Sequence, residues 1–186
     1  MFGLLKRLLS VRPAVDDRLL TILGETRLFE NLSLADIEEL AERVETRNYL
    51  PGEIIFQRGA PGDGLYIVDR GSVEIFLEES AARPLAILRD REYFGEMALI
   101  DESGTRTASA RARGEATCLF LSRDDFENLL SSSHVVAARM LYQLCRVLSR
   151  RLGRTSRLAA GIAEPEDRAP RHRPESAPAA LPPLPR

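Results

Sequence analysis

The chain has 186 residues, 44% of them hydrophobic, and a formal net charge of −2; that is enough apolar material for one core and gives no global pull toward nucleic acid. Its two cysteines, Cys118 and Cys145, lie far apart and argue against a disulfide framework or a zinc site. No stretch approaches the roughly 18 uninterrupted apolar residues of a membrane helix, so the expected compartment is the cytoplasm.

Residues Met1 to Val11 place Phe2, Leu5, Leu8 and Leu9 on one helical face and Lys6 and Arg7 on the other. Such a segment can make a weak peripheral contact with an anionic membrane through residues 1–10, or dock on the domain or on a second subunit. The docking reading is preferred. Pro13 opens a second predicted helix, with Val15, Leu19, Ile22 and Leu23 recurring at helical spacing and Gly24 ending it. Residues 1–27 are thus expected to form an N-terminal helical segment. Ser33 then reads as the cap of a cleaner amphipathic helix carrying Ile37, Leu40, Ala41 and Val44.

From Thr46 the hydrophobic period changes to that of strands. Candidates are Glu53 to Gln57, Gly64 to Asp69, Ser72 to Leu77, Leu85 to Leu88, Thr107 to Arg113 and Glu115 to Leu121. They are separated by Pro51-Gly52, by the glycine-rich run from Gly59 to Gly64, and by Asp69-Arg70-Gly71. Many short strands at close spacing predict a mainly β chain with flanking helices, built on an antiparallel β jelly-roll barrel.

Within this set, Phe94 to Ala112 stands out. Gly95 leads into the short apolar run Met97-Ala98-Leu99-Ile100, a polar turn follows, and Arg106-Thr107-Ala108-Ser109 lies on its far side. A glycine entering a short helix presents free amides and a positive dipole end, and an arginine across the turn can fork two donors onto phosphate oxygens. Glu96 would repel a phosphate but can accept from a neutral polyol such as ribose. Phosphate plus ribose indicates a nucleotide. The alternative is a plain hairpin turn whose Arg106 pairs with a nearby acid.

The stretch resembles the phosphate-binding cassette of the cyclic nucleotide-binding domain family, matching it at Phe94, Gly95, Glu96, Ala98, Leu99, Arg106, Ala108, Ser109 and Ala110. The resemblance implies that Glu96 takes the ribose 2′-hydroxyl and Arg106 the cyclic phosphate, with Gly95, Met97, Ala98, Thr107, Ala108 and Ser109 completing the ligand shell. It also extends to LFENLSLADIEELA before the strands and to ATCLFLSRDDFENLL after the cassette, so that residues 28–160 read as the domain. The length of the cassette turn leans toward the bacterial members.

A short helix from Arg123 to Ser131 and a long one from about Ser133 to Leu158 close the domain. Val136, Met140, Leu141, Leu144, Val147, Leu148 and Leu152 fall on one broad face of the latter, and Ala137, Leu141, Leu144 and Leu148 keep a spacing suited to a homodimer. LSRRLGRTSRL resembles the dimer helix of the bacterial catabolite activators, which would bring Thr155 and Ser156 to the base. Arg146, Arg150, Arg151, Arg154 and Arg157 read as cations complementing a helix end rather than as a DNA surface.

Residues 161–186 form an expected disordered tail, since the last 22 residues hold seven of the eleven prolines. A helix-turn-helix domain has no room after the long helix, so DNA binding is not expected. His134 and His172 stand beside no evident nucleophile and no metal-ligand cluster is present, which disfavours an enzyme. The expectation is a stand-alone receptor for cAMP, with cGMP the runner-up, needing no cofactor or metal and signalling through its C-terminal helix to a protein effector. The competing expectation is an adaptor with a degenerate pocket that acts through its termini.

Overall fold

The computed structural model describes residues 16–80, 83–101, 103–132 and 134–159. The expected basic helix at residues 1–10, Pro13, Val15 and the tail at 161–186 lie outside them.

Helix α1 (Asp17–Glu25) begins where the Asp16 side chain accepts from the Arg18 amide. It runs through Gly24 instead of ending there, because closure comes from Thr26: its hydroxyl donates to the Ile22 carbonyl at 2.8 Å and its amide to that of Leu23. Helix α2 (Leu34–Ala41) carries the full capping box, Ser33 Oγ accepting from the Asp36 amide and the Asp36 carboxylate accepting from the Ser33 amide. Ile37, Leu40 and Ala41 form its buried stripe. Val44 lies beyond the helix end, since the Arg43 amide already turns back to the Leu40 carbonyl.

Among the described residues eight strands follow: β1 (Glu45–Tyr49), β2 (Ile54–Phe56), β3 (Gly64–Arg70), β4 (Val73–Phe76), β5 (Ala86–Leu88), β6 (Tyr93–Phe94), β7 (Ser109–Ala112) and β8 (Ala116–Ser122). They pair antiparallel in two four-stranded sheets, ordered β1-β8-β3-β6 and β2-β7-β4-β5. This is the mainly β architecture with flanking helices that the alternation predicts. Strands β1 and β6 have no such signal. β1 is an edge strand rich in polar residues, and β6 has only two residues, too few to show a period.

The core lies between the sheets. Tyr66, Val68, Phe94, Cys118 and Phe120 of the first sheet face Val73, Leu88 and Ala110 of the second, with Phe56, Ile75 and Ala86 packed against them. Tyr66 and Phe94 stack at 5.2 Å between centroids, and Phe56 stands 5.8 Å from each. Each large side chain buried this way stabilises the fold by about 1.5–3 kcal/mol.

Three helices complete the described chain: α3 (Met97–Ile100), α4 (Arg123–Ser132) and α5 (His134–Ala159). α4 buries Phe126 and Leu129, and α5 buries Val136, Met140 and Leu144. The buried stripe of α5 is narrower than the broad face expected, for Leu141 is 43% and Leu152 68% exposed. A 3.6-residue turn rotates these two away from the line through Val136, Met140 and Leu144. The chain divides into two compact units, Met1–Arg146 and Val147–Arg186, and both sheets belong to the first. No described helix is long and apolar enough to cross a membrane.

Candidate ligand site

Strand β6 carries Phe94 into the core, and Gly95 follows with φ +84, a region that a side chain strains. A Cβ at Gly95 would also stand 2.5 Å from Arg106 Nη1. The positive φ is what favours glycine there. Glu96 comes next, at the start of α3, and only 1% of it is exposed. Ala98 is buried against Gly62, where a side chain would overlap it.

After α3 the chain crosses a polar turn and returns beside the loop before β3. The Gly62 amide donates to the Gly104 carbonyl at 2.7 Å, the Arg106 amide to that of Ala60 at 2.9 Å, and the Gly59 amide to that of Arg106 at 2.8 Å. These bonds lock the backbone of Arg106. Its side chain is 2% exposed. Nη1 donates to the Gly95 carbonyl at 2.9 Å and Nη2 to Asp63 Oδ1 at 2.6 Å, while the guanidinium lies over the Phe56 ring, 4.1 Å from its centroid. Nε is buried with no hydrogen-bond partner among the described residues. A guanidinium so held retains donor capacity that an anion can use.

The structure therefore brings together Gly95, Glu96, Met97, Ala98 and Arg106. Thr107, exposed, joins them by donating to Met97 Sδ at 3.8 Å, and Ala108 is half-buried beside it. Ser109 is fully buried and already engaged: its hydroxyl accepts from the Arg58 amide at 2.8 Å and donates to Glu78. That donation, with help from the Glu78 backbone amide and Arg58, holds the Glu78 carboxyl below its usual value. Ser156 is exposed on α5 in the second unit, and the side chain of Thr155 lies outside the described residues.

Three partners were not legible beforehand. Asp63 sat in a run read only as a turn, 43 residues from Arg106. Phe56 falls in the candidate strand Glu53 to Gln57, with no local feature that marks it as a partner of Arg106. Arg123 staples the cassette to α4, its Nη2 donating to the carbonyls of Ala98 at 2.6 Å and Gly62 at 3.0 Å; it had no signal beyond opening a helix.

The Cys118 thiol is pushed up to about 12 by burial and then by the charge of Asp69, and Tyr66 is raised by burial and by Asp63. Among the described residues no group of three His, Cys, Asp or Glu is placed to hold a metal.

Comparison with known proteins meets this geometry. The family model of the cyclic nucleotide-binding domain matches residues 46–133. A cyclic AMP receptor protein of Thermus thermophilus is 36% identical over 127 residues, covering 67% of this chain and 56% of that protein. A cAMP-dependent protein kinase regulatory subunit of Emericella nidulans is 33% identical over 120 residues, 64% of this chain but 29% of that protein. This chain thus spans only part of the length of these relatives. The crystal structure of the N-terminal domain of a Streptomyces coelicolor transcriptional regulator superposes with a TM-score of 0.60 at 30% identity, covering 71% of this chain and 92% of that one. With a cassette folded so that Gly95, Glu96 and Arg106 converge, and with relatives of this kind, the chain belongs to the cyclic nucleotide-binding domain family.

Proposed function

We propose that the protein is a receptor for cAMP, acting as a regulatory module rather than as a catalyst, and that it needs no metal or cofactor. The observation that carries this reading is the burial of both a carboxylate and a guanidinium on the two sides of one turn: Glu96 at 1% and Arg106 at 2% exposure. Arg106 takes the cyclic phosphate on its remaining donors, and Glu96 takes the ribose hydroxyl. Two relatives whose names carry cAMP support the choice of base over cGMP. Output passes through α5 to a protein effector, and the working compartment is the cytoplasm. DNA is not part of the proposed function, and α5 is the element proposed to pair in a homodimer.

A thermal-shift panel with cAMP, cGMP and linear AMP tests the reading. Ligand at 100 times its dissociation constant adds about 2.7 kcal/mol to stability, so cAMP should raise Tm by several degrees and AMP should not. An unchanged Tm with both cyclic nucleotides at millimolar concentration would replace the receptor with an adaptor.

A further inference from the structure

Helix α1 is seated on the first sheet by ions. Arg18 Nη2 donates to both oxygens of Asp69 at 2.5 Å, and Asp69 is 2% exposed, while the Arg18 side chain is 48% exposed. At the other end of the helix Glu25 accepts from Arg91 Nε at 2.8 Å. Arg91 also donates to the Asp69 carbonyl, its Nη1 lying 3.9 Å from the Asp69 carboxylate. One acid at the end of β3 and one arginine before β6 therefore hold both ends of α1. Arg91 adopts φ 70, a left-handed conformation uncommon in a residue with a side chain. Its amide donates to the Val68 carbonyl at 2.8 Å, and the Val68 amide donates to the Glu92 carbonyl at 2.9 Å, so the turn is bonded to β3.

The two strands that leave this seat end at the ligand cassette. Asp69 lies in β3 near its end and Asp63 just before its first residue, while Arg91 stands two residues before β6 and Gly95 directly after it; the strands pair through Ile67 with Tyr93 and Tyr66 with Phe94. At their far ends Arg106 grips both, through Asp63 and the Gly95 carbonyl. Arginines thus tie the same two adjacent strands at both ends. Paired strands in a close-packed core transmit a shift along their length instead of absorbing it.

We propose that the ion-paired seat of α1 is a regulatory latch on the cyclic-nucleotide site. Closed, it holds β3 and β6 in the register that presents Asp63 and the Gly95 carbonyl to Arg106. Opened, by salt or by an anionic partner competing for Arg18 and Arg91, it releases Asp63 from Arg106 and raises affinity for the ligand phosphate. The latch rests on the receptor function proposed above. Coupling of this kind is reciprocal, so bound ligand loosens α1 by the factor by which an open latch tightens the ligand.

The test uses the full chain in four forms: wild type, Arg18→Gln, Arg18→Lys and Glu25→Gln. Arg91 and Arg70 still face Asp69 when Arg18 is replaced, at 3.9 and 4.0 Å, so its carboxylate keeps cationic neighbours. Glu25→Gln, at a half-exposed position, supplies a second opening variant should Arg18→Gln fail to fold. Calorimetric titration with cAMP should show Arg18→Gln and Glu25→Gln binding at least about fivefold tighter than wild type, with Arg18→Lys close to wild type. Hydrogen exchange should show cAMP raising exchange across residues 17–25 in wild type, and little further change in Arg18→Gln. A gain in affinity is not what simple loss of structure would produce. Folded opening variants that bind within about twofold of wild type, or more weakly, overturn the latch alone. A wild-type chain that binds no cAMP overturns the receptor reading, and the latch with it.

Discussion

Arg106 concentrates the chemistry of the site, and its environment says what its loss should do. The guanidinium is buried, stacked on Phe56 and held by Asp63 and the Gly95 carbonyl. Arg106→Ala would leave a bound phosphate desolvated and without its cation, a loss of roughly 2–5 kcal/mol, or about 30-fold to several thousandfold in affinity. Calorimetry that finds less than about a threefold loss would remove Arg106 from the site. Ser109 is a different case, since its hydroxyl serves Glu78 and the Arg58 amide. The folded-state value of Glu78 lies below its ordinary 4.5. Its contribution to stability is therefore fully present above about pH 4.5 and is lost as pH falls through the depressed folded value. Ser109→Ala should lower Tm at neutral pH, and the gap from wild type should narrow on acidification as the share due to Glu78 disappears. Melts between about pH 3 and pH 7 that show a constant gap would refute this assignment.

At the scale of elements, the signals that could be read locally were those closed by local bonds. The capping box of α2 is one: Ser33 and Asp36 satisfy each other's amides, and both were visible in the sequence. Ser33→Ala should cost about 0.5–2 kcal/mol, measured as a fall in chemical-denaturation midpoint at unchanged slope. A midpoint equal to wild type would mean that α2 is held by Ile37 and Leu40 alone. By the same logic Gly24 misled, because the bond that ends α1 comes from the Thr26 hydroxyl and not from a glycine turn. Strand β6 escaped notice because two residues have no period, yet it positions Gly95 and Glu96.

For the whole molecule, the composition of the tail makes a separate prediction. Residues after Ala163 offer few aliphatic side chains to bury, so a chain cut there should keep its Tm and its cAMP affinity. A fall of several degrees would show that the tail contributes to the fold. The sequence by itself determined the cassette, the two-sheet architecture and the order of the helices, because these rest on periodicity, turn chemistry and a motif contained within a few tens of residues. Only the tertiary structure decided what grips Arg106, since Asp63 and Phe56 approach it through strand pairing across 43 and 50 positions. The same holds for the seat of α1 on Asp69, joined to Arg18 across 51 positions. Ion pairs between such distant residues have no local spacing to reveal them; they exist because sheet register and burial place one charge where it must meet another.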